Sequence, residues 1–163
     1  MPIFADKVVL VTGASSGISK ATAIAFGQEG AKLVVASRRI NESEETVKQI
    51  EEAGGEAVFV QTDVIREEQI ENLVQQTINH FGRTNVAFNN SGIFGRLGAI
   101  TEMTEQDWFR VINTNLTSVF FCLKHEILQM LKQGGGIIIN NVLPLSVIRD
   151  SHTEPCTPRQ NTG

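Results

Sequence analysis

The stretch "KVVLVTGASSGIS", residues 7–19, decides the fold of this chain. Lys7 to Val11 is an apolar, β-branched run too short for a helix, which predicts a buried strand. Gly13 lets the chain turn sharply, and Gly17 lets the backbone come close to a ligand. Ile18, Thr22, Ala25 and Phe26 then recur at helical spacing. A strand, a glycine turn and a helix in that order form the setting a phosphate-binding turn needs. The helix start offers unpaired N–H groups and the positive end of its dipole to a pyrophosphate. The spacing is Gly-x-x-x-Gly-x-Ser rather than the general Gly-x-Gly-x-x-Gly. Many glycine turns are purely structural, so the reading rests on the surrounding elements.

Those elements repeat outward from the turn. "KLVVAS" is a second strand, and "NESEETVKQIEEAGG" reads as a helix with an acidic start, closed by Gly54 and Gly55. "EAVFVQTDV" is a third strand running into a polar turn at Thr62 and Asp63. From Ile65 to Phe81, Ile70, Leu73, Val74 and Ile78 mark one helix face, and "TNVAFNNSG" is a fourth strand with its exit loop. A single long helix is predicted from Thr104 to Lys132. It opens on a Thr-x-x-Asp capping pattern and carries Trp108, Val111, Ile112, Val119, Phe120, Leu123, Ile127 and Leu131 as a core-facing stripe. "QGGGIIIN" is a turn and a fifth strand. Strands joined by helices require parallel pairing with right-handed crossovers, so the class is α/β with a doubly wound sheet. After Asn141 this grammar stops: residues 142–163 hold three of the four prolines and neither periodicity, and read as an irregular tail.

At 163 residues the chain has the size of one domain able to bury its own core. Its net charge of −4 argues against nucleic-acid or anionic-membrane partners, which call for a Lys/Arg excess. No run approaches a membrane-spanning length, and Met1 to Asp6 lacks the pattern of a signal peptide. Cys122 and Cys156 have no metal-ligand spacing, and His80, His125 and His152 form no ligand pair, so no metal is expected and the thiols suit a reducing cytoplasm.

Thr12, Gly13, Gly17 and Ile18, together with "NNSG" at Asn89 to Gly92, resemble the short-chain dehydrogenase/reductase family. The similarity runs from about Asp6 to Asn140, and the motifs recur in order. It implies a Rossmann-like sheet, here incomplete with five strands: residues 1–141 as a dinucleotide-binding domain and 142–163 as the tail. Where that family has Thr-Gly-x-x-x-Gly-x-Gly and Asn-Asn-Ala-Gly, this chain has Ser19 and Ser91. Ser19 is expected to weaken binding modestly, by placing a side chain where helix and sheet pack closely. The resemblance assigns Gly13, Ser15, Ser16, Gly17 and Ile18 to the phosphate turn, and Asp63 and Val64 to the flanks of the adenine. Asn89, Ser91 and Gly92 fall to the adenosine ribose region. Asn115, in "INTNLTSVF", matches the helix asparagine of the family's proton relay, its plainer reading being a polar residue satisfied within a helix.

NAD-specific members carry an acidic residue at the end of the second strand; here Ser37 stands there, followed by Arg38 and Arg39. A guanidinium pairs with a 2′-phosphate where a carboxylate would repel it, so NADP(H) is the expected cofactor with Arg38 as its main contact. Two solvated arginines are the alternative.

The implied chemistry is hydride transfer between nicotinamide and a carbonyl or alcohol carbon of a small-molecule substrate. A tyrosine exchanges the proton, a lysine four residues on tunes it, and a serine orients the substrate oxygen. This chain contains no tyrosine. Val142 and Leu143 occupy the serine places, and Cys156 and Gln160 the tyrosine and lysine places. Reading the codons of "CTPRQNTG" from each third base permits Tyr-Thr-Ala-Ser-Lys-His-Gly, and the same phase permits Ser-Ser at Val142 to Pro144. Residues 142–163 therefore read as a frameshifted form of the active-site segment, whether from a sequencing error, a pseudogene or a real lesion. The alternatives are a non-catalytic dinucleotide-binding module or an unstable product. The family also implies dimers or tetramers through the long helix and a later helix that this chain does not spell, so homo-oligomerisation lacks part of its surface.

Overall fold

The computed structural model describes residues 2–141, so the readings that fall on residues 142–163 lie outside the described residues. Five strands alternate with helices: β1 Val8–Thr12, α1 Gly17–Gln28, β2 Lys32–Ser37, α2 Ile40–Glu52, β3 Glu56–Gln61, α3 Glu67–Phe81, β4 Val86–Asn89, α4 Glu105–Ile112, α5 Ser118–Lys132 and β5 Ile137–Asn140. All pair in parallel in the order β3-β2-β1-β4-β5. The chain winds outward from β1 through β2 to β3, then returns to place β4 on the other side of β1. That reversal opens a crevice at the carboxyl ends of β1 and β4, where doubly wound sheets bind ligands.

The sheet centre is fully buried, as a parallel sheet covered on both faces must be. Side chains still alternate along β1. Val9 and Val11 pack with Leu33, Val35 and Ile50 on the face of α1 and α2, while Leu10 packs with Val34, Val60 and Leu73 on the face of α3. Removing one such side chain from water contributes about 1.5–3 kcal/mol. The edges differ: β3 is half-buried, and Ile137 and Ile139 of β5 are exposed. Among the described residues no helix is long and apolar enough to cross a membrane.

Two expectations are corrected here. The spacing of Ile18, Thr22, Ala25 and Phe26 misplaces the inner face of α1. Its buried residues are Ser19, Ala23 and Gly27, and Ile18 is 59% exposed. Smallness, not hydrophobicity, marks that face, because α1 lies close against its neighbours: a Cβ on Gly27 would stand 2.7 Å from Cγ2 of Ile50.

The long helix is also interrupted. α4 begins as expected, with a capping box in which the Thr104 hydroxyl accepts from Asp107 N–H and the Asp107 carboxylate accepts from Thr104 N–H. It then passes through a π turn, Asn113–Thr117, before α5. The hydroxyls of Thr114 and Ser118 donate to the carbonyls of Arg110 and Thr114, and such back-bonding competes with the regular ladder. Beyond the turn, Ser118, Cys122, Glu126 and Met130 face inward. Trp108, Phe120, Ile127 and Leu131 of the expected core stripe are exposed, and Val111, Ile112, Val119 and Leu123 are only half-buried. Beyond the π turn, the expected positions Val119, Leu123, Ile127 and Leu131 each lie one residue past the inward row.

Replacing Gly27 by Ala is expected to destabilise the protein by about 1–3 kcal/mol through overpacking against Ile50, measured by urea unfolding.

Candidate cofactor-binding site

The glycine turn sits at the sheet's reversal point. Thr12, the last residue of β1, is buried, and its hydroxyl accepts from the N–H groups of Asn90 at 3.1 Å and Ser91 at 3.3 Å. One side chain thereby ties the end of β1 to the exit of β4. Gly13 follows at φ 72°, in the left-handed region, and a Cβ there would meet Ser91 Cα at 3.2 Å. Gly17 has φ 58°, but a Cβ there would meet nothing within 4 Å. The first glycine serves a turn and a close approach; the second faces open space.

That space is a cleft of about 580 Å³. Its floor is the turn itself, with Gly13, Ser15, Ser16, Gly17, Ile18 and Ser19. One wall is formed by Ser37, Arg38 and Arg39 at the end of β2, and by Thr62, Asp63 and Val64 after β3. The opposite wall is the loop after β4, from Asn90 to Phe94, with Thr114 of the π turn beneath it. No side-chain cap closes the first turn of α1, whose N–H groups point toward this space. An uncapped helix start, a glycine with open space above it and adjacent guanidinium groups fit the phosphates of a dinucleotide. Among the described residues no group of three metal-ligating side chains occurs.

The two arginines differ in their engagement. Arg39 places its guanidinium on the turn, donating to Ser15 Oγ at 3.1 and 2.9 Å and to Ser16 Oγ at 2.6 Å, and pairs with Glu42 at 3.5 Å. Arg38 is exposed on the cleft and has no ion pair among the described residues. Ser37 is buried: its hydroxyl lies 2.6 Å from that of Ser43 and accepts from Arg39 N–H at 3.1 Å. Asp63 lines the cleft with one carboxylate oxygen accepting from Ile65 N–H. Ser19 is buried, and its hydroxyl accepts from Asn90 Nδ2 at 2.7 Å.

Two of the residues predicted from sequence stand behind the cleft rather than on it. Asn89 is 3% exposed and donates to Glu126 Oε2 at 2.8 Å and to Asn140 Oδ1 at 3.1 Å. Asn115, in the π turn, accepts from Ile93 N–H and donates to Ile93 C=O, both at 2.9 Å. It holds the wall loop by its backbone. Residues the sequence reading did not single out for the cleft are Arg39, Thr62 and Thr114. Arg39 had a signal, its place beside Arg38; the others depend on how the loops fold back.

Comparison with known proteins agrees with this geometry. Residues 7–142 match the family model described as short chain dehydrogenase. The chain belongs to the short-chain dehydrogenase family. It is 39% identical over 137 residues to a 3beta-hydroxysteroid dehydrogenase of Mediterraneibacter gnavus, covering 84% of this chain and 49% of that protein. It is 36% identical to a cyclohexanol dehydrogenase of an Acinetobacter species, covering 84% and 55% respectively. Among solved structures, levodione reductase superposes with a TM-score of 0.82 at 34% identity, covering 84% of this chain and 54% of that one. NAD+-bound xylitol dehydrogenase gives 0.82 at 33% identity, covering 85% and 53%. The chain thus spans about half the length of the relatives it matches, and its five-stranded α/β sheet is the family's fold. Membership implies a nicotinamide dinucleotide cofactor.

Gly13→Ala and Gly17→Ala separate the two glycine roles. Both variants incur the left-handed penalty of about 1–2 kcal/mol, while Gly13→Ala also collides with the backbone of Ser91. Denaturant unfolding is expected to show the larger loss for Gly13→Ala.

Proposed function

We propose that these residues form the cofactor-holding half of an NADP(H)-dependent oxidoreductase interconverting a carbonyl and an alcohol on a small molecule. The observation that carries this reading is the end of β2, where a buried Ser37 stands in place of a carboxylate and Arg38 lies exposed on the cleft. A 2′-phosphate there meets no negative charge and gains a charge-assisted pair with Arg38. Arg39, already seated on Ser15 and Ser16, adds positive potential to the phosphate turn. The turn amides and the start of α1 hold the pyrophosphate, while Asp63 accepts from the adenine amino group and Val64 packs against the ring. Ser91 and Gly92 border the adenosine ribose, and Asn89 supports that loop from behind. The family relationship and the names of the steroid and cyclohexanol dehydrogenases support a secondary alcohol or ketone as the substrate class.

A bound nicotinamide supplies or takes up the hydride. The proton at the substrate oxygen needs an acid–base residue, and tyrosine, which serves the family, is absent from the 163 residues. The described residues therefore bind and orient the cofactor, and Asn115 holds the wall loop through Ile93. We expect the chain as given to bind NADPH with negligible turnover.

Titration of intrinsic cofactor fluorescence checks this reading. NADPH is expected to bind more tightly than NADH, and Arg38→Ala to weaken NADPH binding about 10–100-fold, the loss of roughly 1.5–3 kcal/mol expected for a charge-assisted contact. Ser37→Asp is expected to reverse the preference toward NADH. Equal affinities for the two cofactors in the unsubstituted chain would refute the NADP(H) assignment.

A further inference from the structure

Behind the cleft lies a buried acid that cofactor binding does not use. Glu126 is 2% exposed, on the inner face of α5, and its Oε2 accepts from Asn89 Nδ2 at 2.8 Å. Asn89 spends its second amide hydrogen on Asn140 Oδ1, at 3.1 Å. Its own Oδ1 is buried and has no hydrogen-bond partner among the described residues. A buried acceptor without a donor is unusual enough in folded proteins to require an explanation.

The missing donor cannot come from the facing amide: Asn140 already presents its oxygen to Asn89. An ionised carboxylate has no hydrogen to give, whereas a neutral carboxylic acid has one. We infer that Glu126 is held as a neutral acid whose hydroxyl donates to Asn89 Oδ1, so that acid and amide form a closed two-bond pair locking the end of β4. Glu126 is then a positioning residue. It fixes the plane of the Asn89 side-chain amide, on a residue whose backbone carbonyl accepts from Asn141 N–H at 2.9 Å and whose chain continues directly into the wall loop.

The charges around Glu126 agree. No cation is among its hydrogen-bond or ion-pair partners within the described residues. β4 and β5 bring the amides Asn89 and Asn140. On α3, Glu67 is occupied with Lys124 and His125, at 2.6 and 3.1 Å, and hydrogen bonds from these two side chains, Lys124 first, lower its pKa from the ordinary glutamate value. On α4, Asp107 is bound by Thr104, and Arg110 is exposed. Cys122, one turn earlier on α5, is buried, and burial together with Glu126 pushes its thiol up. Burial pushes Glu126 up to about 7, against the opposing effect of the Asn89 hydrogen bond.

The consequence has a definite sign. Between 4.5, the ordinary glutamate value, and about 7 the native state keeps a proton that the unfolded chain releases. Stability therefore falls as pH rises through that window and stays at the lower level above it, where this group adds no further pH dependence. The test is a pH titration of protein labelled with 13C at the glutamate carboxyl carbons, followed by NMR. Melting temperatures of the unsubstituted chain, Glu126→Gln and Glu126→Ala are measured alongside, without cofactor. One glutamate resonance, missing in Glu126→Gln, is expected to titrate near neutrality. Glu126→Gln, which keeps both an acceptor and a donor, is expected to fold, to lose the fall in melting temperature across the window, and to be the more stable protein above it. Glu126→Ala is expected to melt lower at every pH. The proposal is overturned if every glutamate titrates in the ordinary acidic range, if the fall persists in Glu126→Gln, or if Glu126→Gln does not fold.

Discussion

The hydroxyl of Thr12 holds together two segments that are 78 residues apart in sequence. By accepting two consecutive backbone N–H groups from the exit of β4, it fixes that loop against the turn after β1. A side chain at Gly13 would then crowd the backbone of Ser91, with a Cβ standing 3.2 Å from its Cα. The open side of the turn, above Gly17, is left for a ligand. The glycine turn and the β4-exit wall of the cleft are set against each other by this contact at the sheet's reversal point. The sheet order makes the contact possible, since only the jump from β3 back to β4 brings the Asn-Asn-Ser-Gly loop beside the glycine turn.

The arginines illustrate how electrostatics and geometry divide the labour at such a turn. Arg39 is spread over two serine hydroxyls, neutral partners that leave its charge uncancelled at the cleft apart from an exposed pairing with Glu42. Arg38 has no side-chain partner among the described residues and is exposed on the cleft.

Much of this was legible in the sequence because it rests on local rules. The β-branched run before Gly13, the Thr-x-x-Asp start of α4 and the alternation of strands with helices each have a short-range physical cause, and the sheet is built from them. What was not legible depends on tertiary distance. The buried face of α1 consists of Ser19, Ala23 and Gly27, which a hydrophobic pattern cannot find because close approach selects small residues. The inward row of α5 lies one position before the expected stripe, after a π turn that the apolar pattern does not show. Glu126 carries no signal in the sequence, and only the meeting of α5 with β4 shows it as a buried acid. Around the cleft, the glycine turn and the end of β2 carry residues that the sequence reading names, because motif spacing is local. The placing of Asn89 and Asn115 behind the wall was not legible, because both act on backbone or buried groups rather than on the cleft.

The π turn also sets how tolerant this region is to change in length. An α-helix advances by ~100° per residue, so the one surplus position in the 113–117 segment acts as a phase shifter between two otherwise regular helices. Shortening the chain there by a single residue would let α4 and α5 fuse into one rod, with the amide of Asn115 swung away from Ile93. Point substitutions along the same stretch preserve the phase, so this part of the fold is sensitive to residue count before it is sensitive to residue identity.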